Sequence, residues 1–344
     1  MKVKKVIVTG AAGFIGFHLC KRLLEEGFVV VGIDSLNDYY DVQLKLDRLD
    51  QIRHEPNFTF APINITDKPK LDELFKKFEF DYVINLAAQA GVRHSIDKPY
   101  EYIDSNLIGF INILEACRNN SVEHLIFASS SSVYGANKKV PFEESDHTDH
   151  PVSLYAATKK SNEMMAHAYS ALYNIPCTGL RFFTVYGPWG RPDMAYFKFA
   201  KSIMNNEPIK VFNNGEMSRD FTYIDDIVQG ISRLLSVVPR TARNEETGPQ
   251  ESFEAPYAIC NIGNNSPVKL MDFISMLEKH IGVKAIKEFQ PMQQGDVKET
   301  YASINKLNTL AGFSPSTSLD EGLEKFVAWF KSYNTLEASE SIQR

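Results

Sequence analysis

Short apolar runs alternate with amphipathic stretches over the first half of the chain. The segments "KKVIVTG", "FVVVGID", "FTFAPIN", "DYVINLAA", "HLIFASS" and "CTGLRFF" have the length and the β-branched and aromatic content of buried strands. Between them, "GFHLCKRLLEEG", "KPKLDELFKKF", "YIDSNLIGFINILEACRN" and "LYAATKKSNEMMAHAYSALY" read as helices, and the first of these repeats apolar residues at helical spacing. Strands that alternate with helices predict an α/β fold, a doubly wound parallel sheet with helices on both faces.

The alternation breaks after about Gly187. Helix patterns such as "MAYFKFAKSIMNN" mix with short strand patterns such as "IKVF", which predicts a smaller α+β region. We therefore predict one domain over 1–187, with a C-terminal contribution to it, and a second over 188–334. The polar, breaker-rich segment 239–254 is predicted to be an exposed insert, and 335–344 a frayed, disordered tail.

Composition narrows the class of protein. The 344 residues carry a formal net charge of −6, which argues against a nucleic-acid or anionic-membrane binder. Four widely spaced cysteines form no CxxC pair, so neither a zinc site nor a disulfide framework is expected. No apolar run approaches the roughly 20 residues of a membrane span, and no signal peptide precedes the first glycine-rich turn, so a cytoplasmic protein is expected.

A glycine-rich turn follows the first predicted strand. In "VTGAAGFIG", Gly10, Gly13 and Gly16 open the first helix, with Phe14 and Ile15 between the last two glycines. Glycines at this point let backbone N–H groups approach a pyrophosphate at the helix N-terminus. The strand–turn–helix context favours dinucleotide binding over a plain glycine turn.

An acid ends the second strand. Asp34 has the spacing from the turn expected of a carboxylate that binds the adenosine ribose hydroxyls and repels a 2′-phosphate, so NAD is preferred over NADP. Asn64 and Ile65 end the third strand, where they would frame the adenine.

A tyrosine and a lysine lie one helical turn apart. Tyr155 and Lys159 in "SLYAATKKSNE" share one helix face. A free tyrosine has a pKa of about 10, and a nearby lysine together with the positive nicotinamide would favour its phenolate, the form that accepts a proton from a substrate hydroxyl. YxxxK alone occurs often by chance, but here it follows a glycine turn and the hydroxyl-rich strand end "SSSSVYG".

These motifs in this order resemble the extended short-chain dehydrogenase/reductases, the group of nucleotide-sugar epimerases and dehydratases. The resemblance covers nearly the whole chain and implies a Rossmann-type NAD domain with a small C-terminal domain that binds the nucleotide. It implies that Ser130 binds the reacting hydroxyl beside Tyr155, and that Asn106, Ala87 and Ala88 belong to the cofactor site. It also implies a homodimer, formed through helices around 101–118 and 154–173 as a four-helix bundle.

Finer features are similar to those of the UDP-glucuronate 4-epimerases within this group. They include Arg93 in "GVR", Thr184 and Arg191 in "RFFTVYGPWGRPDMA", and Arg219 in "SRDFTYIDDI", which resembles the arginine that holds the diphosphate. Phe212 in "IKVFNNG" either packs against the uracil or belongs to the core.

A uronate also needs partners for its C6 carboxylate. Ser131, Ser132, Thr184 and Arg93 are the candidates, whereas Ser129 is expected to satisfy local backbone. Related decarboxylases and dehydratases carry a glutamate directly before the Val-Tyr-Gly, where this chain has Ser132. That difference favours epimerisation without decarboxylation.

One stretch departs from the family pattern. Where many members have "RPGD", this chain reads "QQGD", so Asp296 is retained as a substrate-binding candidate and Arg219 would carry more of the diphosphate charge.

The resulting hypothesis is NAD-dependent C4 epimerisation of UDP-glucuronate to UDP-galacturonate through a 4-keto intermediate. A 4-epimerase of a neutral or N-acetylated UDP-hexose is the first alternative. A non-catalytic NAD-binding sensor or scaffold is the second, against which the complete Ser130, Tyr155 and Lys159 set argues. No metal is expected.

Overall fold

The alternating pattern forms a parallel sheet in the computed structural model, which describes residues 3–241, 255–292 and 299–343, with 336–343 described by backbone alone. The strands are β1 Lys5–Thr9, β2 Val29–Ile33, β3 Phe58–Ala61, β4 Tyr82–Asn85, β5 His124–Ser130, β6 Cys177–Phe182, β7 Thr184–Tyr186, β8 Pro208–Val211, β9 Ser218–Tyr223, β10 Tyr257–Ile262, β11 Pro267–Lys269, β12 Ile286–Phe289 and β13 Glu299–Thr300. The α/β prediction is confirmed.

The main sheet has seven strands in the order β10-β6-β5-β4-β1-β2-β3, and every pairing is parallel. Strand order reverses between β1 and β4, and a crevice opens outside the carboxyl ends of the strands at such a reversal. The seventh strand, β10, comes from the second half of the chain. The smaller region is therefore interleaved with the sheet rather than appended to it.

Helices cover both faces of the sheet and connect its strands. They are α1 Phe14–Glu25, α2 Val42–Asp50, α3 Lys68–Phe78, α4 His94–Asp97, α5 Pro99–Tyr102, α6 Gly109–Asn119, α7 Leu154–Tyr173, α8 Ala195–Met204, α9 Ile224–Leu235, α10 Leu270–Ile281, α11 Asn305–Ala311 and α12 Leu319–Gln343. Side-chain caps begin several of them: Asp41 accepts from Gln43 N, Asp67 from Lys70 N and Ser153 from Ala156 N.

Two predicted elements differ in detail. The helix predicted over "YIDSNLIGFINILEACRN" is divided, because a π-helical turn, Ile103–Ile108, separates α5 from α6. Helix α12 continues to Gln343, so the backbone is helical where the sequence predicts a frayed tail. Of the predicted insert 239–254, residues 242–254 lie outside the described residues.

The smaller region consists of two small sheets with α8 and α10. Strands β7, β11 and β13 all pair with β9, and β8 pairs with β12. The Asp220 carboxylate joins the segments that follow β10 and β13, because it accepts backbone hydrogen bonds from Asn264, Asn265 and Ala302. Burial raises the pKa of Asp220, and these N–H groups favour its charged form.

A buried ion pair fixes α7 against the ends of β5 and β6. Glu163 on α7 accepts from Arg181 Nε at 2.8 Å and from Arg181 Nη2 at 2.9 Å, and both side chains are about 3% exposed. Ser129 at the end of β5 donates to the same carboxylate at 2.7 Å. The expectation that Ser129 satisfies local backbone is therefore wrong, because its hydroxyl joins the strand to the helix.

Loss of this ion pair should lower the unfolding free energy of the protein more than loss of an exposed ion pair. Replacing Arg181 with methionine removes both short hydrogen bonds from the cation to the buried Glu163 carboxylate and leaves only Lys160 Nζ, at 3.6 Å, as its cation, and the expected loss is about 3–5 kcal/mol of unfolding free energy. The matched control is Arg22→Met, which removes an exposed i,i+4 pair with Glu26 and should cost less than about 1 kcal/mol. Denaturant unfolding of both variants measures the difference, and equal losses would contradict a special role for the buried pair.

Candidate active site

A cavity of about 750 Å³ lies at the carboxyl ends of the strands and extends into the smaller region. Its volume suits a small-molecule site. Most of the predicted site residues line it: Gly10, Gly13, Phe14, Ile15, Gly16, Asp34, Asn64, Ile65, Ala87, Ala88, Arg93, Ser130, Ser131, Ser132, Tyr155, Lys159, Thr184, Arg191, Phe212 and Arg219. Asp296 lies outside the described residues.

The glycine positions in the turn between β1 and α1 have no room for side chains. Gly10 adopts φ +72°, and a Cβ there would lie 2.9 Å from Ala87 N. A Cβ on Gly16 would lie 2.0 Å from Gly10 O, so the first turn of α1 packs directly on the loop. Gly13 supplies no side-chain cap to α1, which leaves the first N–H groups of the helix for a ligand.

Asp34 is held at the edge of this turn. Its carboxylate accepts from Ala12 N at 3.1 Å and from Leu36 N at 2.8 Å, which fixes it just after β2. Asn64 and Ile65 line the same cavity. A turn whose three glycines leave the backbone N–H groups accessible, followed by an oriented acid, fits the pyrophosphate and ribose of NAD, so the residues present agree with the predicted cofactor.

Asn106 is an exception among the predicted cofactor residues, because it does not line the cavity. It is 1% exposed and lies in the π-helical turn, where its side-chain oxygen accepts from Gln89 N at 2.8 Å. Its amide group donates to Gln89 O and to Thr158 Oγ1, each at 3.0 Å. In this structure Asn106 holds the loop after β4 against α7, and a role in cofactor binding would act through that loop.

Ser130, Tyr155 and Lys159 meet as the sequence predicts. Ser130 ends β5, and its hydroxyl interacts with the Tyr155 phenol. Lys159, only 3% exposed, lies one turn along α7 and donates from Nζ to Ala128 O at 2.9 Å. The strand end and the helix thus place a hydroxyl, a phenol and an amine at the cavity wall.

Burial is the largest influence on the pKa of the Tyr155 phenol in this structure. Burial raises the pKa of Tyr155, while the Ser130 hydroxyl and the charge of Arg191 lower it. Burial also lowers the pKa of Lys159 to about 8. The Lys159 ammonium group is directed to the Ala128 carbonyl at the end of β5.

The remaining serines form a short turn beside Ser130. A 3₁₀ turn, Ser131–Tyr134, follows β5, and Ser132 accepts a hydrogen bond from the Ser130 hydroxyl at 3.2 Å. Thr184, the first residue of β7, lines the same cavity. These hydroxyls add hydrogen-bonding groups to this part of the cavity wall without adding a charge.

The three predicted arginines occupy different surroundings. The Arg93 guanidinium lies 5.6 Å from the centre of the Phe212 ring, so the residue predicted to bind the uronate contacts the residue predicted to cover the uracil. Arg191 instead lies close enough to Tyr155 for its charge to act on the phenol. Arg219 projects from β9 and donates to Ser218 O.

Several cavity residues were not found from the sequence. Tyr39 and Lys45 come from the segment between β2 and the end of α2, and Asp193 follows Arg191. Lys45 is 4% exposed and donates to Asn37 O and Asn37 Oδ1, both at 2.6 Å. Their proximity to Asp34 and Arg191 in sequence is the signal that could have identified them.

Comparisons with known proteins agree with this architecture. A model of the NAD dependent epimerase/dehydratase family matches residues 6–246.

In the described parts of the chain, no group of three or more His, Cys, Asp or Glu side chains is placed to hold a metal ion. No described helix has the length and apolar composition needed to cross a bilayer.

Individual relatives match over nearly the full chain. Protein CapI of Staphylococcus aureus is 55% identical over 96% of this chain and 99% of its own length. A probable UDP-glucuronate 4-epimerase of Rhizobium meliloti is 48% identical over 95% and 96%. The crystal structure of a UDP-glucuronic acid 4-epimerase from Bacillus cereus, in complex with UDP-glucuronic acid and NAD, is similar with a TM-score of 0.84 and 36% identity, covering 96% of this chain and 99% of that one.

The glycine turn yields a direct prediction. Gly16→Ala should abolish NAD retention, because the new methyl group would lie 2.0 Å from Gly10 O and force the turn apart. Gly27→Ala is the control: it adds the same methyl group just after α1, where a Cβ meets nothing within 4 Å, and the strain from the φ of +85° at Gly27 should leave NAD in place. Release of the bound nucleotide by denaturation and its quantification by chromatography measures the effect. Full NAD content in Gly16→Ala would contradict this account of the turn.

Proposed function

The chain belongs to the NAD dependent epimerase/dehydratase family, and we propose that it interconverts UDP-glucuronate and UDP-galacturonate. The reaction inverts C4 through a 4-keto intermediate and does not remove CO₂. The observation that carries the proposal is the shared cavity, in which a glycine-rich dinucleotide turn, a Ser-Tyr-Lys set and an arginine-lined substrate region meet. The relatives named as UDP-glucuronate 4-epimerases support the choice of sugar.

The cofactor half of the cavity fits NAD. The N–H groups around Gly10, Gly13 and Gly16 would hold its pyrophosphate, and Asp34 its adenosine ribose. When bound, NAD supplies a hydride acceptor and donor for C4 of the sugar. Asn64, Ile65, Ala87 and Ala88 line the walls on either side.

Tyr155 moves the proton in the proposed reaction. Its phenolate oxygen takes the proton from the O4 hydroxyl, which Ser130 orients, and returns it after the sugar has turned. The Ser130 hydrogen bond and the Arg191 charge both lower the pKa of Tyr155 and so favour its base form, whereas burial raises the pKa. Lys159 holds the strand end that carries Ser130 through Ala128.

Inversion requires a firmly held nucleotide and a mobile sugar. Arg219 would bind the diphosphate, and Phe212 with Arg93 would enclose the base and its ribose, because these two side chains contact each other. The sequence assigned Arg93 to the C6 carboxylate; its contact with Phe212 makes the nucleotide the better proposal.

The uronate carboxylate is assigned to the sugar end of the cavity. Ser131, Ser132 and Thr184 offer hydroxyls there, and Arg191 offers charged donors near Tyr155. Since Ser132 replaces the glutamate of related decarboxylases and dehydratases, the 4-keto intermediate should keep its carboxylate.

We also propose a homodimer. Helices α6 and α7 pack against each other, and the large apolar side chains Ile108, Met164 and Leu172 are 48%, 64% and 72% exposed. Exposed apolar side chains concentrated on neighbouring helices are typical of an interface, and a second copy would bury them in a four-helix bundle. A cytosolic location fits the four cysteines, which are free and buried.

Product analysis tests the function. Wild-type protein incubated with UDP-glucuronate should give UDP-galacturonate, observed by proton NMR, while UDP-glucose should remain unchanged. Tyr155→Phe should reduce turnover by roughly 10²–10⁴-fold, the usual contribution of a general base, and retain its NAD. Tyr173→Phe, which removes a hydroxyl from the exposed end of the same helix, is the control.

The outcomes separate the alternatives. Conversion of UDP-glucose alone would replace the uronate with a neutral sugar, and a UDP-pentose among the products would refute the role given to Ser132. Absence of any turnover in NAD-loaded protein would favour a non-catalytic binding protein.

The dimer has its own test. Leu172→Glu places a charge in the proposed interface and should give a monomer in sedimentation velocity measurements, because an unpaired charge is costly to bury there. Val283→Glu changes a similarly apolar residue that is 42% exposed in the smaller region, and it should leave the oligomer intact. A wild-type monomer, or a Leu172→Glu dimer, would refute the proposed interface.

A further inference from the structure

Arg191 is held by a carboxylate from its own loop. Its Nε donates to Asp193 Oδ1 at 3.0 Å and its Nη2 to Asp193 Oδ2 at 2.6 Å, which is a bidentate pair. Both side chains line the cavity and are about one quarter exposed. The pair is therefore part of the cavity wall, and Arg191 reaches the vicinity of Tyr155 in a fixed orientation.

A tyrosine from the cofactor side completes this arrangement. Tyr39, in the segment after β2, donates from its hydroxyl to Asp193 Oδ2 at 3.2 Å. Burial and the Asp193 charge raise the pKa of Tyr39 to about 12, so the phenol keeps its proton and remains a donor. Gly91 has no side chain because a Cβ there would lie 2.6 Å from this hydroxyl.

Helix α2, which follows the segment that carries Tyr39, holds the loop before Arg191 at a second point. Arg48 on α2 is fully buried and donates to Trp189 O at 2.7 Å, to Gly190 O at 3.1 Å and, across the glycine turn, to Ala12 O at 2.9 Å. The loop before Arg191 is thus tied to the cofactor domain by its backbone, and Asp193 is tied to it by Tyr39.

We infer that Tyr39 and Asp193 are positioning residues that hold Arg191 for the anionic group of the sugar. This inference rests on the proposed function, since it concerns recognition of a uronate. An arginine side chain loses much rotamer freedom when it binds a ligand, and a side chain that is already fixed loses less. Tyr39 and Asp193 contribute to discrimination between a charged and a neutral sugar in this way.

Two opposing effects decide whether removal of Asp193 weakens or strengthens substrate binding. The Asp193 carboxylate also repels a second carboxylate bound nearby, so its removal would strengthen substrate binding if electrostatic repulsion dominated. Arg191 and Asp193 form a bidentate pair whose geometry directs the remaining guanidinium N–H groups, and we expect loss of this geometry to dominate.

The test compares Tyr39→Phe, Asp193→Asn and the double variant. Each single variant should raise the Kd for UDP-glucuronate by about three- to tenfold and leave the Kd for UDP and the NAD content unchanged, because the inference assigns Arg191 to the sugar and not to the nucleotide. Since both changes act through Arg191, the double variant should resemble the single variants rather than multiply their effects. Tyr82→Phe, at the amino end of β4 and away from the cavity, is the control.

Calorimetry on the NAD-loaded protein measures these constants without turnover. An unchanged or lower Kd for UDP-glucuronate, a parallel rise in the Kd for UDP, or multiplicative effects in the double variant would each overturn the inference. Wild-type protein that binds UDP-glucuronate no more tightly than UDP would overturn it as well. Failure of the proposed reaction appears separately, as absence of UDP-galacturonate from wild-type protein.

Discussion

The buried contact between α7 and the end of β5 determines the geometry of the site. Tyr155, Lys159 and Glu163 are spaced four residues apart, so they share one face of the helix. Three successive residues of the strand meet this face: Ser130 interacts with Tyr155, the Ala128 carbonyl accepts from Lys159, and Ser129 donates to Glu163. A helix that shifted along the strand would break all three contacts together.

The third of these contacts explains why a charged group lies so deep. Glu163 is nearly inaccessible, and an unpaired carboxylate there would be strongly unfavourable, so its ion pair with Arg181 and its bond from Ser129 are required together. Because Arg181 comes from β6, the helix is fixed to two neighbouring strands rather than one. Glu163 and Arg181 do not line the cavity, so the ends of β5 and β6 and the helix are fixed from behind it, which is how a preorganised site is maintained.

Local patterns predicted the fold well where they were strong, and failed where tertiary contacts decided. Gly10, Gly13 and Gly16 identify the dinucleotide turn because only glycine fits there, and the strands with β-branched runs appear as expected. No local pattern assigns β10 to the main sheet, because its neighbour β6 lies far away in sequence. Likewise, the family resemblance identifies Asn106, but no local pattern predicts that its side-chain amide bonds to the Gln89 backbone rather than facing the cavity.

The two cavity arginines Arg93 and Arg191 also have surroundings that the sequence does not reveal. From sequence, Arg93 is the arginine assigned to the uronate carboxylate, and Arg191 is a substrate-binding candidate without a stated partner. The fold separates them: Phe212 contacts Arg93 from the smaller region, whereas Asp193 and Tyr39 fix Arg191 near the phenol. A sugar that turns during the reaction needs a firm hold on its nucleotide and directional contacts at its other end. Two arginines with different partners can satisfy both requirements, which two equally mobile cations could not.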